Sequence, residues 1–348
     1  MESVPVVVAT PVEAELVDRL RRIDERLDVR FEPDLLPPPR FPSDHRGALD
    51  FERSPADQDR FTRLVQGAEV LYGIPGDTPE GIAWAVRTAP ALRFLQATAA
   101  GAGEQVRAAG LSGEELDRVA IASASGVHAV PLAEWSLLGL LAFTKGLPRL
   151  RRDAAERRWG HYPVDELHGR TLLVIGVGEI GAEVARLASA FGMRVLGVKR
   201  DVDEPVAHVE ALYPPSAIDE LVEEVEAVVI TLPLTEETRG LISRRTIARM
   251  CDGTIVVNVG RGGVIDEEAL VEALVSGKLA GAALDVFAEE PLPRTSPLWE
   301  LENVIVSPHT SALSWHENER IIELFADNLR RYLDGAELRS RVRTSVYY

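Results

Sequence analysis

A lone cysteine, Cys251, in 348 residues excludes an internal disulfide, a CxxC redox pair and a cysteine-rich zinc site. No metal site is expected, and the setting expected is a reducing cytoplasm. Basic residues are also short: 38 Lys and Arg against 55 Asp and Glu leave a formal net charge of −17. A surface field of that sign repels nucleic-acid phosphates and anionic membranes, so neither is an expected partner. Long apolar runs are missing too. The most apolar helical stretch, Trp135 to Phe143, falls well short of the roughly 18 residues a bilayer requires. The opening MESVPVVVATPVEAELVDRL lacks the basic flank and small-residue cleavage site of an export signal, and none is expected.

What is present is a chain of 46% hydrophobic residues, long enough for two domains with cores of their own. Short β-branched runs alternate with helix-like stretches. VVVA is followed by a helix around Val12 to Leu27, then come VLYGI, FLQAT and VAIAS. Apolar runs of that length between helices read as buried strands of a parallel sheet. A second series predicts a six-stranded open sheet: LLVIG, VLGV, AVVITL, TIVVNV, AALDVF and VIVSP. Between the two series, a single helical segment from Leu132 to about Arg158 reads as a connector crossing from one unit to the other. The stretch Pro37 to Arg60 has no periodicity and reads as a surface loop. The last helix, about Glu317 to Leu333, carries an apolar stripe that is expected to bury itself in the first unit.

The run LLVIGVGEIGAEVARLASA sets Gly176, Gly178 and Gly181 between a strand and an Ala-rich helix. A tight turn, a close approach of backbone to pyrophosphate and close helix-to-strand packing each require one of these glycines. The helix amino terminus, with Glu179 and Ile180, adds its positive end. The next strand ends in VLGVKRD, where a dinucleotide enzyme using free ribose hydroxyls carries an acid. Lys199 and Arg200 suit a 2′-phosphate, which favours NADP(H), while the neighbouring Asp201 keeps NAD(H) possible.

Three polar residues follow late strands: Arg261 after TIVVNVG, Glu290 after AALDVFAE and His309 after VIVSP. Their spacings, 290 − 261 = 29 and 309 − 290 = 19, match about one βα repeat each, so all three are expected on one sheet edge. Together they suit a 2-oxo acid: a guanidinium fork for carboxylate and carbonyl oxygens, an imidazole to move a proton, and a carboxylate to stabilise imidazolium. The other histidines, His45, His128, His161, His168, His208 and His316, have no such placement. Trp315 reads either as a pocket wall or as packing against the connector.

The segments VIGVGEIGAEVA, VVITLPLTEETRGLI, TIVVNVGRGGVIDEEAL, GKLAGAALDVFAEEPLP, SPLW and NVIVSPHTSA resemble, in order and spacing, the D-isomer-specific 2-hydroxyacid dehydrogenase family over about residues 90 to 330. The resemblance implies an α/β chain of two doubly wound parallel-sheet domains. A Rossmann cofactor domain (126–314) would be inserted in a flavodoxin-like substrate domain (1–125 with 315–348). It implies that Arg261 binds substrate, that His309 is the acid/base and that Glu290 is its partner. Asp285 would face the nicotinamide carboxamide, Leu232, Pro233 and Val259 would line the cofactor, and Ala100 and Gly101 would receive the substrate carboxylate. The implied activity is NAD(P)-dependent reduction of a small 2-oxo acid to the D-2-hydroxy acid, by a homodimer. A dinucleotide-sensing protein of the same fold with little turnover is the alternative.

Overall fold

The computed structural model describes residues 3–344. The chain forms two compact units, Met1–His128 with Leu313–Tyr348, and Ala129–Ala312.

The first unit is built on β1 (Val4–Val8), β2 (Leu27–Arg30), β3 (Val70–Tyr72), β4 (Phe94–Gln96) and β5 (Ala120–Ala122). All pair in parallel, in the order β2-β1-β3-β4-β5, the flavodoxin-like form of a doubly wound sheet. Side-chain alternation along β1 serves both faces. Val6 and Val8 meet the helices Ala14–Leu20 and Glu317–Leu333, whereas Val7 meets Pro55–Gln66, Pro79–Thr88 and Ala102–Ala108. The last helix seats Phe325 against Tyr72 and Phe94, with ring centroids 5.0 and 5.8 Å apart.

Two expectations need correction here. The first helix stops at Leu20 instead of running to Leu27, because Asp24 accepts the Arg26 N–H at 2.9 Å and closes a local turn. Leu27–Arg30 then pairs as an edge strand, making five strands where four runs were legible. The stretch read as loop from Pro37 to Arg60 ends in a helix from Pro55. Pro55 starts that helix and the Ser54 hydroxyl caps it by accepting the Asp57 N–H. Nor is the rest of that stretch all surface, since Asp44 and His45 are buried within it.

The second unit carries β6 (Thr171–Ile175), β7 (Arg194–Val198), β8 (Ala211–Tyr213), β9 (Ala227–Ile230), β10 (Thr254–Asn258), β11 (Leu279–Leu284) and β12 (Val304–Val306). The order is β12-β11-β10-β9-β6-β7-β8, all parallel. The sheet has seven strands and not six: β8 is three half-buried edge residues, an apolar run too short to stand out. One face packs on the helices Ala129–Thr144 and Glu179–Ala190, the other on Arg244–Arg249 and Glu267–Val275.

The long connector helix is also corrected. It breaks at Gly146, in the left-handed conformation at φ 67, with Pro148 beginning the next helix, Leu147–Ala155. Both helices lie within the second unit. The first lies directly on the sheet: a Cβ added at Gly139 would stand 2.6 Å from Ala283 Cβ. The winding direction reverses between β6 and β9, which opens the crevice beyond the carboxyl ends of those strands.

Candidate active site

The turn after β6 divides its work among three glycines. Gly176 has φ 103, a backbone closed to most L-residues. At Gly181 an added Cβ would stand 2.3 Å from the Gly176 carbonyl oxygen, so only glycine lets the helix Glu179–Ala190 lie against the strand. At Gly178 an added Cβ would meet nothing within 4 Å. That position faces open space at a helix start, where the N–H groups of Glu179, Ile180 and Gly181 leave the helix ladder unpaired. Such a donor set fits a pyrophosphate.

Leu232 presses on Gly176, and the Thr231 hydroxyl donates to the Gly176 carbonyl. The loop after β9 is thereby held to the glycine turn, with Pro233 exposed beside it. Val259, buried past the end of β10, donates its N–H to Ile230 at 3.0 Å. Lys199 and Arg200 follow β7. The Lys199 N–H is tied to the Tyr213 carbonyl at 3.0 Å, and the exposed Arg200 guanidinium stands 3.6 Å from a Glu237 carboxylate oxygen.

The three chemical residues all lie just beyond the carboxyl ends of adjacent strands β10, β11 and β12. His309 Nδ1 meets Glu290 Oε2 at 2.7 Å, and Glu290 Oε1 accepts the Phe287 N–H at 3.0 Å. Because a carboxylate only accepts, Nδ1 carries the proton of that bond and Nε2 is left for other partners. Both side chains stay open to solvent, His309 at 43% and Glu290 at 36% exposure, so a small molecule can reach the ring.

Arg261 is half-buried, with one guanidinium nitrogen donating to the Gly260 carbonyl at 2.8 Å. Its loop packs on the segment leading to Glu290, since a Cβ at Gly262 would stand 1.9 Å from the Phe287 carbonyl carbon. Sequence reasoning passed over Asn258, which is buried and staples this loop by accepting the Gly260 N–H and donating to the Arg261 carbonyl. A polar residue ending an otherwise apolar strand was the available signal.

Asp285, just past β11, is 1% exposed and engaged with the chain around His309. Its Oδ1 accepts from Ser307 Oγ at 2.5 Å and from the N–H groups of Thr310 and Ser311 at 3.0 Å each. Ser307 was likewise missed. Ala100 and Gly101 belong to the first unit, in the turn that starts the helix Ala102–Ala108. Two other histidines serve the fold there: His45 bonds Asn318 at 2.8 Å and His128 bonds Glu317 at 3.0 Å, all four residues buried. Trp315 is 82% exposed. Among the described residues no group of three His, Cys, Asp or Glu is placed to hold a metal, and no helix is long and apolar enough to cross a membrane.

Residues 137–311 match the family described as D-isomer specific 2-hydroxyacid dehydrogenase, NAD binding domain. The chain is 37% identical over 224 residues to the glyoxylate reductase of Korarchaeum cryptofilum, covering 62% of this chain and 66% of that protein. It is 39% identical over 215 residues to the hydroxypyruvate reductase of Thermotoga maritima, covering 59% of this chain and 68% of that one. It thus spans about two thirds of the length of these curated relatives. The crystal structure of a D-isomer specific 2-hydroxyacid dehydrogenase from Xanthobacter autotrophicus, in complex with NADPH and MES, superposes with a TM-score of 0.77 at 25% identity, over 100% of both chains. With the sheet order, the glycine turn and these matches in agreement, the chain belongs to the D-isomer specific 2-hydroxyacid dehydrogenase family.

Proposed function

We propose that the chain reduces a small 2-oxo acid to the D-2-hydroxy acid, with NADPH as the preferred cofactor. The observation that carries this reading is the 2.7 Å His309–Glu290 pair, on the same sheet edge as Arg261 and in the same unit as the glycine turn. The curated relatives named glyoxylate reductase and hydroxypyruvate reductase support the substrate class.

A bound nicotinamide would supply two electrons to the carbonyl carbon as hydride. The glycine turn and the first N–H groups of the helix from Glu179 would hold its pyrophosphate, with Leu232, Pro233 and Val259 alongside. His309, protonated on both ring nitrogens, gives the Nε2 proton to the carbonyl oxygen, while Glu290 stabilises the imidazolium through Nδ1. Arg261 orients carboxylate and carbonyl oxygens and offsets the charge that develops as the carbonyl is reduced. The carboxylate-binding role of Ala100 and Gly101 is proposed from the resemblance alone.

Lys199 and Arg200 are the basis for NADPH, and the relative crystallised with NADPH is in keeping with it. A homodimer belongs to the same reading, supported by Val130, Leu138 and Leu150 left exposed on the two helices from Ala129 to Ala155. A cytoplasmic setting is proposed from the single cysteine. The test mixes purified protein with NADPH or NADH and a panel of 2-oxo acids, following loss of reduced-cofactor absorbance. Turnover with glyoxylate, hydroxypyruvate or an aliphatic 2-oxo acid is expected; micromolar cofactor binding without turnover on any of them would favour a sensor.

A further inference from the structure

His309 has φ 52, a left-handed backbone that a residue with a Cβ rarely adopts. Something must hold it there. The His309 N–H reaches back to the Asp285 carbonyl at 3.0 Å, and the next two N–H groups, of Thr310 and Ser311, converge on Asp285 Oδ1 at 3.0 Å each. The Ser307 hydroxyl, from the other side of the turn, donates to the same oxygen at 2.5 Å. Asp285 itself is fastened to β10, its N–H bonded to the Asn258 carbonyl at 3.1 Å. One buried carboxylate oxygen therefore gathers donors from both sides of His309, and its charge strengthens each bond.

We infer that Asp285, with Ser307, is a positioning residue that clamps the 307–311 turn and so aims the His309 ring between Glu290 and the substrate carbonyl. This goes beyond a contact between Asp285 and the cofactor. Removing the clamp frees the backbone at His309 to relax out of the left-handed region, which swings Nδ1 away from Glu290 and misplaces Nε2. Binding of the cofactor through the glycine turn would be little altered.

The kinetic arm of the test rests on the proposed 2-oxo acid reduction; the exchange arm does not. The full chain is compared with D285A, D285N and S307A in two measurements. One is amide hydrogen exchange in the 307–311 segment without ligand, and the other is kcat and KM with NADPH and glyoxylate. D285A is expected to lose about 10²-fold in kcat, the effect of a displaced catalytic group, in addition to any rise in NADPH KM from a lost carboxamide contact, whereas S307A should keep KM for NADPH within about threefold of the parent. S307A, lacking one of the donors, should lose about tenfold in kcat. D285N keeps an acceptor oxygen in the same place and should recover most of the D285A loss. Both D285A and S307A should exchange the 307–311 amides faster. Parental kcat with a raised NADPH KM in D285A would overturn the clamp in favour of a cofactor contact. Should D285A fail to fold, S307A with parental kcat and parental exchange would overturn it as well. If the parent turns over no 2-oxo acid, the functional reading falls, and unchanged or accelerated exchange in S307A still decides against or for the clamp.

Discussion

In the proposed reaction His309 serves because Glu290 binds only Nδ1 and leaves Nε2 open, the geometry expected of a positioned acid/base. His309→Ala should lower kcat by about 10²- to 10⁴-fold, measured by steady-state cofactor oxidation, and near-parental turnover would reject the assignment. Arg261→Ala should lose more in kcat/KM, since it removes both orientation and charge. Arg261→Lys should recover little of it, because an ammonium cannot make the paired, planar contact of a guanidinium. In the first unit, Arg40 holds the buried Asp44 carboxyl at about 2, through a side-chain hydrogen bond of 2.7 Å aided by N–H donors from Arg40 and Gly47. A depressed folded-state value means stability that is whole above the ordinary carboxylate range and is lost as pH falls from about 4 towards 2. Asp44→Asn should therefore cost about 1 kcal/mol at neutral pH, the exposed Arg40 partner being screened by solvent, and flatten the acid limb of the unfolding curve, as read by denaturant melts at several pH values.

At the scale of elements, the glycine turn separates folding from binding. A Cβ at Gly178 meets no protein atom, and the backbone there, φ −97 and ψ −156, is open to any residue. Gly178→Ala should thus change stability by no more than about 0.5 kcal/mol. It should nonetheless weaken NADPH binding at least about tenfold, seen by fluorescence titration, because the methyl fills the space a pyrophosphate needs. At Gly181 the order reverses: the added Cβ would meet the Gly176 carbonyl at 2.3 Å, so Gly181→Ala should destabilise by about 1–3 kcal/mol and impair binding together. Elements with strong local signals were legible, as in the strand, glycines and Ala-rich helix of this turn. β2 and β8 were not, being four- and three-residue edge strands. A half-buried edge needs no apolar run, and its pairing partner is far off in the sequence or follows an irregular loop.

For the whole molecule, cofactor preference is the property that the sum of local charges decides. At equal concentration, NADPH should raise the melting temperature more than NADH does. A ligand at a hundredfold over its Kd stabilises the folded state by about 2.7 kcal/mol. Equal shifts by the two cofactors, followed by differential scanning fluorimetry, would remove Lys199 and Arg200 from the phosphate site. The two-unit architecture also makes the last helix part of the first unit, with Phe325 fully buried between Tyr72 and Phe94. Phe325→Ala should cost about 3–5 kcal/mol by denaturant titration, although the phenylalanine lies 253 and 231 positions from those rings in sequence.

Read alone, the chain already shows the alternation of strands and helices, the glycine turn, and which guanidinium, imidazole and carboxylate stand one repeat apart. Each of these follows from local pattern: periodicity, glycine spacing, and polar residues placed directly after apolar strands. It took the folded chain to bring Asp285 and Ser307 onto the His309 turn, to staple the Arg261 loop with Asn258, and to spend His45 and His128 on buried partners near the start of the last helix. A hydrogen bond between residues 22 or 189 positions apart leaves no periodic trace in the chain. Its partners are chosen by which strand ends the sheet order brings side by side.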